Sequence, residues 1–189
     1  MLKGERVTLR AVERDDLKTI FELKKNLELT LLADGSWQPE PLEQWQKQFD
    51  KHLEERERND FVIEVDGKVI GEIGLHHCHR RDGSTQFGVA IFDPDYLGKG
   101  YGADAIETLL RWAFQIQNWR RVWLQTLSVN ERAIRSYRRL GFVEEGRLRE
   151  SVRVSLDGAD GYDDLIVMSM LDREYQARCA LGLEELPGA

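Results

Sequence analysis

The sequence predicts an α+β fold: a mixed, mostly antiparallel, seven-stranded sheet flanked by about four helices. Three observations carry that expectation. Segments of alternating hydrophobicity and segments of helical period interleave in the order β-α-α-β-β-β-α-β-α-β-β. An Asp66-Gly67 turn sits between two apolar strands, which makes them an antiparallel hairpin. The chain of 189 residues, 41% hydrophobic, suffices for one core and is short for two, so a single domain over 1–171 with a peripheral C-terminal tail over 172–189 is expected.

Element by element, Val7-Thr8-Leu9-Arg10 alternates as a first strand. Asp15 opens a helix on which Leu17, Ile20, Phe21, Lys24 and Leu27 follow helical spacing. A turn-rich stretch from Ala33 to Pro39 leads to a second helix over 42–57, with Trp45, Phe49 and either His52 or Leu53 on one face. Strands 61–65 and 68–75 form the hairpin, and a turn at 81–84 returns the chain into a third strand over 85–92. A helix over 100–117 carries Ala105, Ile106, Leu109, Leu110, Ala113 and Ile116 as its apolar stripe. Strand 121–127, a helix over 131–140 stopped by Gly141, and strands 142–155 and 162–170 joined by a turn at 157–161 complete the order.

The formal charge of −7 counts against a nucleic-acid partner, since such surfaces carry an excess of Lys and Arg, and it suits a cationic substrate. Cys78 and Cys179 lie far apart with no metal-type spacing, so neither a disulfide framework nor a metal site is expected and a reducing compartment is implied. The N-terminus shows no signal-peptide pattern and no run of about 18 apolar residues occurs, which places the protein in the cytoplasm with no membrane partner. Oligomeric state is left open, a homo-oligomer included.

Chemistry concentrates in two places. In Leu97-Gly98-Lys99-Gly100-Tyr101-Gly102 three glycines alternate with side chains and run into a helix, so backbone N–H groups and the positive helix end can meet a pyrophosphate. A merely tight strand-to-helix connection is the alternative. A Walker loop is excluded because Gly100, not Ser or Thr, follows Lys99, and a dinucleotide fingerprint because a meander rather than a parallel βαβ unit precedes the loop.

The second place is Asn130-Glu131-Arg132-Ala133-Ile134-Arg135-Ser136-Tyr137-Arg138-Arg139-Leu140-Gly141-Phe142. It resembles the Asn-x-x-Ala-x-x-x-Tyr-x-x-x-Gly-Phe pattern of the GNAT superfamily of N-acetyltransferases at every fixed position. The glycine loop resembles that family's acetyl-CoA loop, Gln/Arg-x-x-Gly-x-Gly/Ala, with Leu97 departing at the Gln/Arg place. Glu145-Gly146-Arg147-Leu148-Arg149-Glu150 and Gly161-Tyr162-Asp163-Asp164 are similar to the RimJ/RimL-type and spermidine N-acetyltransferase-like members.

The resemblance covers about residues 5–171 and implies acetyl transfer from acetyl-CoA to a primary amine: a polyamine, a protein N-terminus, an amino acid or an aminoglycoside. It implies backbone donors for the thioester around Ala90, Ile91 and Phe92. Leu97, Gly98, Lys99, Gly100, Tyr101, Gly102, Asn130 and Ser136 would hold the cofactor, with Asn130 also free to cap its helix. Tyr137 would protonate the departing thiolate, with packing as its alternative role. A non-catalytic acyl-CoA sensor on the same fold would not need that tyrosine.

The base is open. Gln86 stands where some relatives carry a Glu. Strand alternation puts Glu72, Gly74, His76 and Cys78 on one face, which makes Glu72 the first candidate and His76 a lesser one, and it splits His76-His77-Cys78-His79 so that metal binding is not expected. Trp37 and Glu40, with Trp45, are the expected acceptor pocket, an aromatic and acidic setting suited to a cation.

Overall fold

The structure is a computed structural model and describes residues 1–35, 38–54, 58–156 and 159–182. Eight strands form one sheet in the order β1-β2-β3-β4-β5-β6-β8-β7. They are β1 Leu2–Lys3, β2 Thr8–Ala11, β3 Asn59–Val65, β4 Lys68–His79, β5 Ser84–Ile91, β6 Arg121–Leu127, β7 Val143–Leu156 and β8 Ala159–Leu171. All neighbouring pairs are antiparallel except β5 and β6. The eighth strand, beyond the seven expected, is β1, a two-residue edge piece too short to show an alternation.

Six α-helices flank the sheet: α1 Asp16–Leu23, α2 Leu27–Asp34, α3 Leu42–His52, α4 Tyr101–Arg111, α5 Glu131–Arg139 and α6 Asp172–Ala180. Several of them depart from expectation. The helix opening at Asp15 is split, because the Asn26 side chain accepts from Leu29 N–H at 3.3 Å and starts α2, which ends at Asp34, two residues into the stretch expected as turn, with Gly35 as its C-cap. Residues 172–180, expected within a peripheral tail, instead form α6, whose Tyr175 is 1% exposed and stacks on Phe114 at 4.9 Å. The polar composition of that segment hid a single buried aromatic. The helix expected over 100–117 ends as α at Arg111 and continues as one π turn, Trp112–Ile116. Expected positions 36–37, 55–57, 157–158 and 183–189 lie outside the described residues.

The main core lies between the sheet and the layer of α4, α5 and α6. Leu9, Ile63, Ile73, Leu75 and Phe87 from the strands meet Ile106, Leu109, Leu110, Ile134, Tyr137 and Tyr175 from the helices. A smaller cluster of Ile20, Val62 and Val69, with Trp45 against it, lies under α1 and α3 on the opposite face. α4 is pinned by its own first turn, where the Asp104 carboxylate accepts the backbone N–H groups of Glu5, Arg6 and Val7 at 3.0, 2.8 and 2.9 Å. That clasp ties the helix carrying the glycine loop to the strand beside it.

The expected alternation along β4 fails at its end. The pairing with β5 shifts between His76 and His79 and His77 takes φ +48°, so Cys78 turns into the main core rather than sharing the Glu72 face. Tyr175→Ala removes the aromatic that seats α6 and is expected to destabilise the protein by about 3 kcal/mol, read from the urea unfolding midpoint.

Candidate active site

β5 and β6 pair for three residues only, Ser84 to Gln86 against Arg121 to Trp123. Past that point β5 stays on β4 through Ile91↔Gly71 while β6 stays on β8 through Leu127↔Leu165, so the two strands part. The gap opens into a cleft of about 1380 Å³ lined by Phe87 to Ile91 on one side and Gln125, Thr126 and Asn130 on the other. Strand backbone facing a gap keeps N–H and C=O groups free for a ligand.

The glycine loop forms the upper rim. Gly98 and Gly100 take φ +68° and +86°, a region L side chains resist, and Gly100 is the N-cap of α4. A Cβ at Gly98 would point into open space, so that glycine serves backbone conformation and access rather than packing, whereas one at Gly100 would also crowd Arg6. Leu97, Gly98, Gly100 and Gly102 line the cleft together with Ile91, Asn130, Ser136 and Tyr137. Lys99 and Tyr101 do not. The Arg6 guanidinium donates to the Lys99 carbonyl and lies 4.4 Å over the Tyr101 ring, which braces the loop from behind.

Opposite the loop, α5 presents Tyr137. Its helix is placed by Asp163, which accepts from Ser128 Oγ at 2.6 Å and from Val129 N–H at 3.2 Å just ahead of it. Asn130 fills both roles open to it: Oδ1 accepts from Ala133 N–H at 3.2 Å as the cap, and Nδ2 donates to the Leu32 carbonyl at 3.4 Å, tying α5 to α2. The Tyr137 ring packs edge-on to Phe87 at 5.8 Å, and burial pushes its hydroxyl up to about 12. A phenol held neutral can give a proton but not readily lose one unasked.

The other face of the gap carries the acceptor candidates. Glu72, paired in register with Ala90 of the cleft, meets Lys24 Nζ at 3.2 Å. That ammonium lies 5.2 Å over Trp45 and 4.9 Å over Phe92, so Phe92 sits away from the cleft lining, beneath a cation. Glu40 does not line the cleft and its carboxylate accepts from Gln48 at 3.4 Å; Trp37 lies outside the described residues. Among the described residues no three His, Cys, Asp or Glu gather as a metal site.

Sequence reasoning missed two groups. Leu29, Leu32 and Ala33 of α2 reach the cleft only because Asn26 restarts the helix. Six arginines, Arg6, Arg111, Arg132, Arg135, Arg139 and Arg178, line it against the acids Glu5, Asp104 and Glu107. Asp104 is held by backbone N–H groups and Glu107 by Arg178, so a chain of net charge −7 presents a cationic cleft. Their i, i+3, i+7 spacing at 132, 135 and 139 was the available signal. Open glycine backbone, a positive helix end and excess guanidinium fit a polyphosphate such as the one in coenzyme A.

Residues 6–143 match the family model described as an acetyltransferase (GNAT) domain. The chain belongs to the GNAT acetyltransferase family. It is an acetyl-CoA-dependent N-acetyltransferase that transfers acetyl to an amine. The spermidine N(1)-acetyltransferase of Escherichia coli strain K12 is 31% identical over 183 residues, spanning 94% of this chain and 92% of that protein. The crystal structure of spermidine N-acetyltransferase from Vibrio cholerae in complex with CoA and spermine superimposes with a TM-score of 0.81 at 27% identity, covering 92% of this chain and 99% of that one. A dodecameric structure of the Vibrio cholerae enzyme gives 0.78 at 29% identity, over 93% and 99%. In this GNAT enzyme Gly100→Ala strains the loop and crowds Arg6, whose Nη1 would lie 3.0 Å from the new Cβ. The variant is expected to lose most of the thermal stabilisation that saturating acetyl-CoA confers on the wild type, about 2.7 kcal/mol at a hundredfold excess over Kd.

Proposed function

We propose that the acceptor is an aliphatic polyamine and that Tyr137 is the proton donor of the reaction. The observation that carries the acceptor class is the box of Glu72, Trp45 and Phe92, which already holds an alkylammonium, that of Lys24. A carboxylate with two aromatic faces binds such a cation by charge and by ring quadrupole. A polyamine carries several ammonium groups, so one can occupy this box in exchange with Lys24 while another reaches the gap. The names of the Escherichia coli and Vibrio cholerae relatives, both spermidine acetyltransferases, support the same class.

Acetyl-CoA supplies an activated acyl thioester. The chain's part is to hold it by the Gly98 to Gly102 backbone and the arginine lining, to offer β5 N–H groups around Ala90 to Ile91 to the carbonyl oxygen, and to keep Tyr137 near the sulfur. Leu97 and Ser136 add contact to the pantetheine side, with Lys99 free at the loop tip to meet phosphate. We place the protein in the cytoplasm, as the lack of an export pattern in its sequence suggested; among the described residues no helix is long and apolar enough to cross a membrane. It works as a homo-oligomer, a reading supported by the dodecameric Vibrio cholerae structure.

Assayed with acetyl-CoA against spermidine, spermine, an aminoglycoside and N-terminal peptides, the wild type is expected to turn over the polyamines fastest; preference for a peptide overturns the acceptor class. Tyr137→Phe keeps the packing and removes the proton, and kcat is expected to fall about 100-fold with the KM for acetyl-CoA unchanged. Because burial raises the Tyr137 hydroxyl above the ordinary value of 10, its donating form persists up to about pH 12, so no loss of rate below pH 10 should trace to it. Light scattering should return a mass above that of one 21.9 kDa chain.

A further inference from the structure

His76 lies on β4 two residues beyond Gly74, paired in register with Gln86 of β5. Its ring rests on a pair of facing glycines. A Cβ at Gly74 would come within 3.2 Å of Cε1, and one at Gly88 would stand 3.7 Å from Nε2. Gly74 and Gly88 are themselves register partners, and Gly88 lines the cleft where β5 leaves β6. His76 does not itself line the cleft; its Nε2 lies beside Gly88, which does. The other ring nitrogen, Nδ1, is shut off from water with no hydrogen-bond partner. Asp60 Oδ1 lies 3.6 Å from it, just beyond hydrogen-bond reach, and the second Asp60 oxygen accepts from Arg58 at 2.6 Å.

We infer that His76 is the general base that strips the acceptor ammonium, with Asp60 as the residue that positions it. Glu72, the other candidate, pairs with the Lys24 ammonium, which itself lies over the Trp45 and Phe92 rings, an arrangement that stabilises a bound cation rather than removing its proton. His76 is held neutral: burial of the ring lowers its proton affinity first, Arg58 adds to that, Asp60 opposes, and His77 and His52 lower it further. A neutral imidazole with its Nδ1–H turned to Asp60 leaves the Nε2 lone pair available beside Gly88 at the edge of the cleft.

The ammonium gives one proton to Nε2, directly or through one water, and the freed nitrogen lone pair forms the C–N bond to the thioester carbon. The C–S bond breaks and its electron pair stays on sulfur, which takes a proton from Tyr137. The remaining surplus proton on nitrogen restores Tyr137, the proton on His76 passes to solvent, and one proton is released per turnover. This rests on the amine-acetylation reading. Wild type inactive on every amine overturns both, whereas an active wild type with His76→Gln unimpaired overturns only the role of His76.

The test uses spermine and acetyl-CoA with His76→Gln, Asp60→Asn and Arg58→Gln. His76→Gln is expected to lose about 100-fold in kcat while acetyl-CoA still raises its melting temperature as in the wild type, since the ring lies outside the phosphate side. The chain has four histidines, so the His76 ring proton is assigned in the NMR spectrum by its loss in that variant. Its titration midpoint should lie below the ordinary 6.5, move down in Asp60→Asn and up in Arg58→Gln, and the acidic limb of kcat/KM should move with it. Midpoints that move without the limb, or an unchanged kcat in His76→Gln, overturn the assignment. Should His76→Gln not fold, the opposed shifts of the acidic limb of kcat/KM in Asp60→Asn and Arg58→Gln decide alone, and an unshifted limb overturns the assignment.

Discussion

The active site exists because the only parallel pair of the sheet is incomplete. After three residues β5 follows its antiparallel neighbour β4 and β6 follows β8, and each partner offers a longer ladder than the parallel pairing does. A sheet ordinarily hides its backbone groups in ladder bonds. Here a stretch of β5 has its outer edge turned to a cleft that both faces of the sheet reach. The residues proposed for chemistry are arranged around that gap: the glycine loop continues β5, Asn130 and Tyr137 follow β6, and His76 and Glu72 lie across β5 on β4.

The two faces of the gap have opposite electrical characters. On the α4 and α5 side, arginines and helix-end donors collect although the chain as a whole is acidic, which separates a polyanion site from the rest of the surface. On the α1 and α3 side, Glu72 and the rings of Trp45 and Phe92 hold a cation. Two substrates of opposite charge can thus approach the same few residues of β5 from opposite directions without competing.

Bracing explains why the loop can carry left-handed glycines without collapsing. Asp104 gathers three backbone N–H groups from the chain ahead of β2, Arg6 covers Tyr101 and reaches the Lys99 carbonyl, and Asp93 anchors the loop entry through Lys68 at 2.8 Å. Lys68 holds the Asp93 carboxyl below the usual carboxylate range against the opposing effect of burial, so this anchor is ionic at neutral pH. Catalytic loops on rigid supports keep donors aimed without reorganisation.

The family was legible in the residues themselves. Gly98, Gly100 and Gly102 before an apolar helix, and Asn130, Ala133, Tyr137, Gly141 and Phe142 at fixed spacing, are local signals: each depends on backbone conformation or on one helix face, which sequence spacing determines. Most strands and the two long helices were legible for the same reason. What only the tertiary structure decided are the matters that depend on neighbours distant in sequence. Asn26 breaks one helix into two and delivers α2 to the cleft; Tyr175 draws a polar segment into the core; a left-handed His77 turns Cys78 away from Glu72. Above all, alternation along β4 set Glu72 and His76 on one face with Glu72 as the first candidate, and only the fold put a lysine on the first and an unpartnered Nδ1 beside Asp60 on the second. Periodicity fixes which way a side chain points, but burial and the partner it meets fix whether it holds a charge or moves a proton.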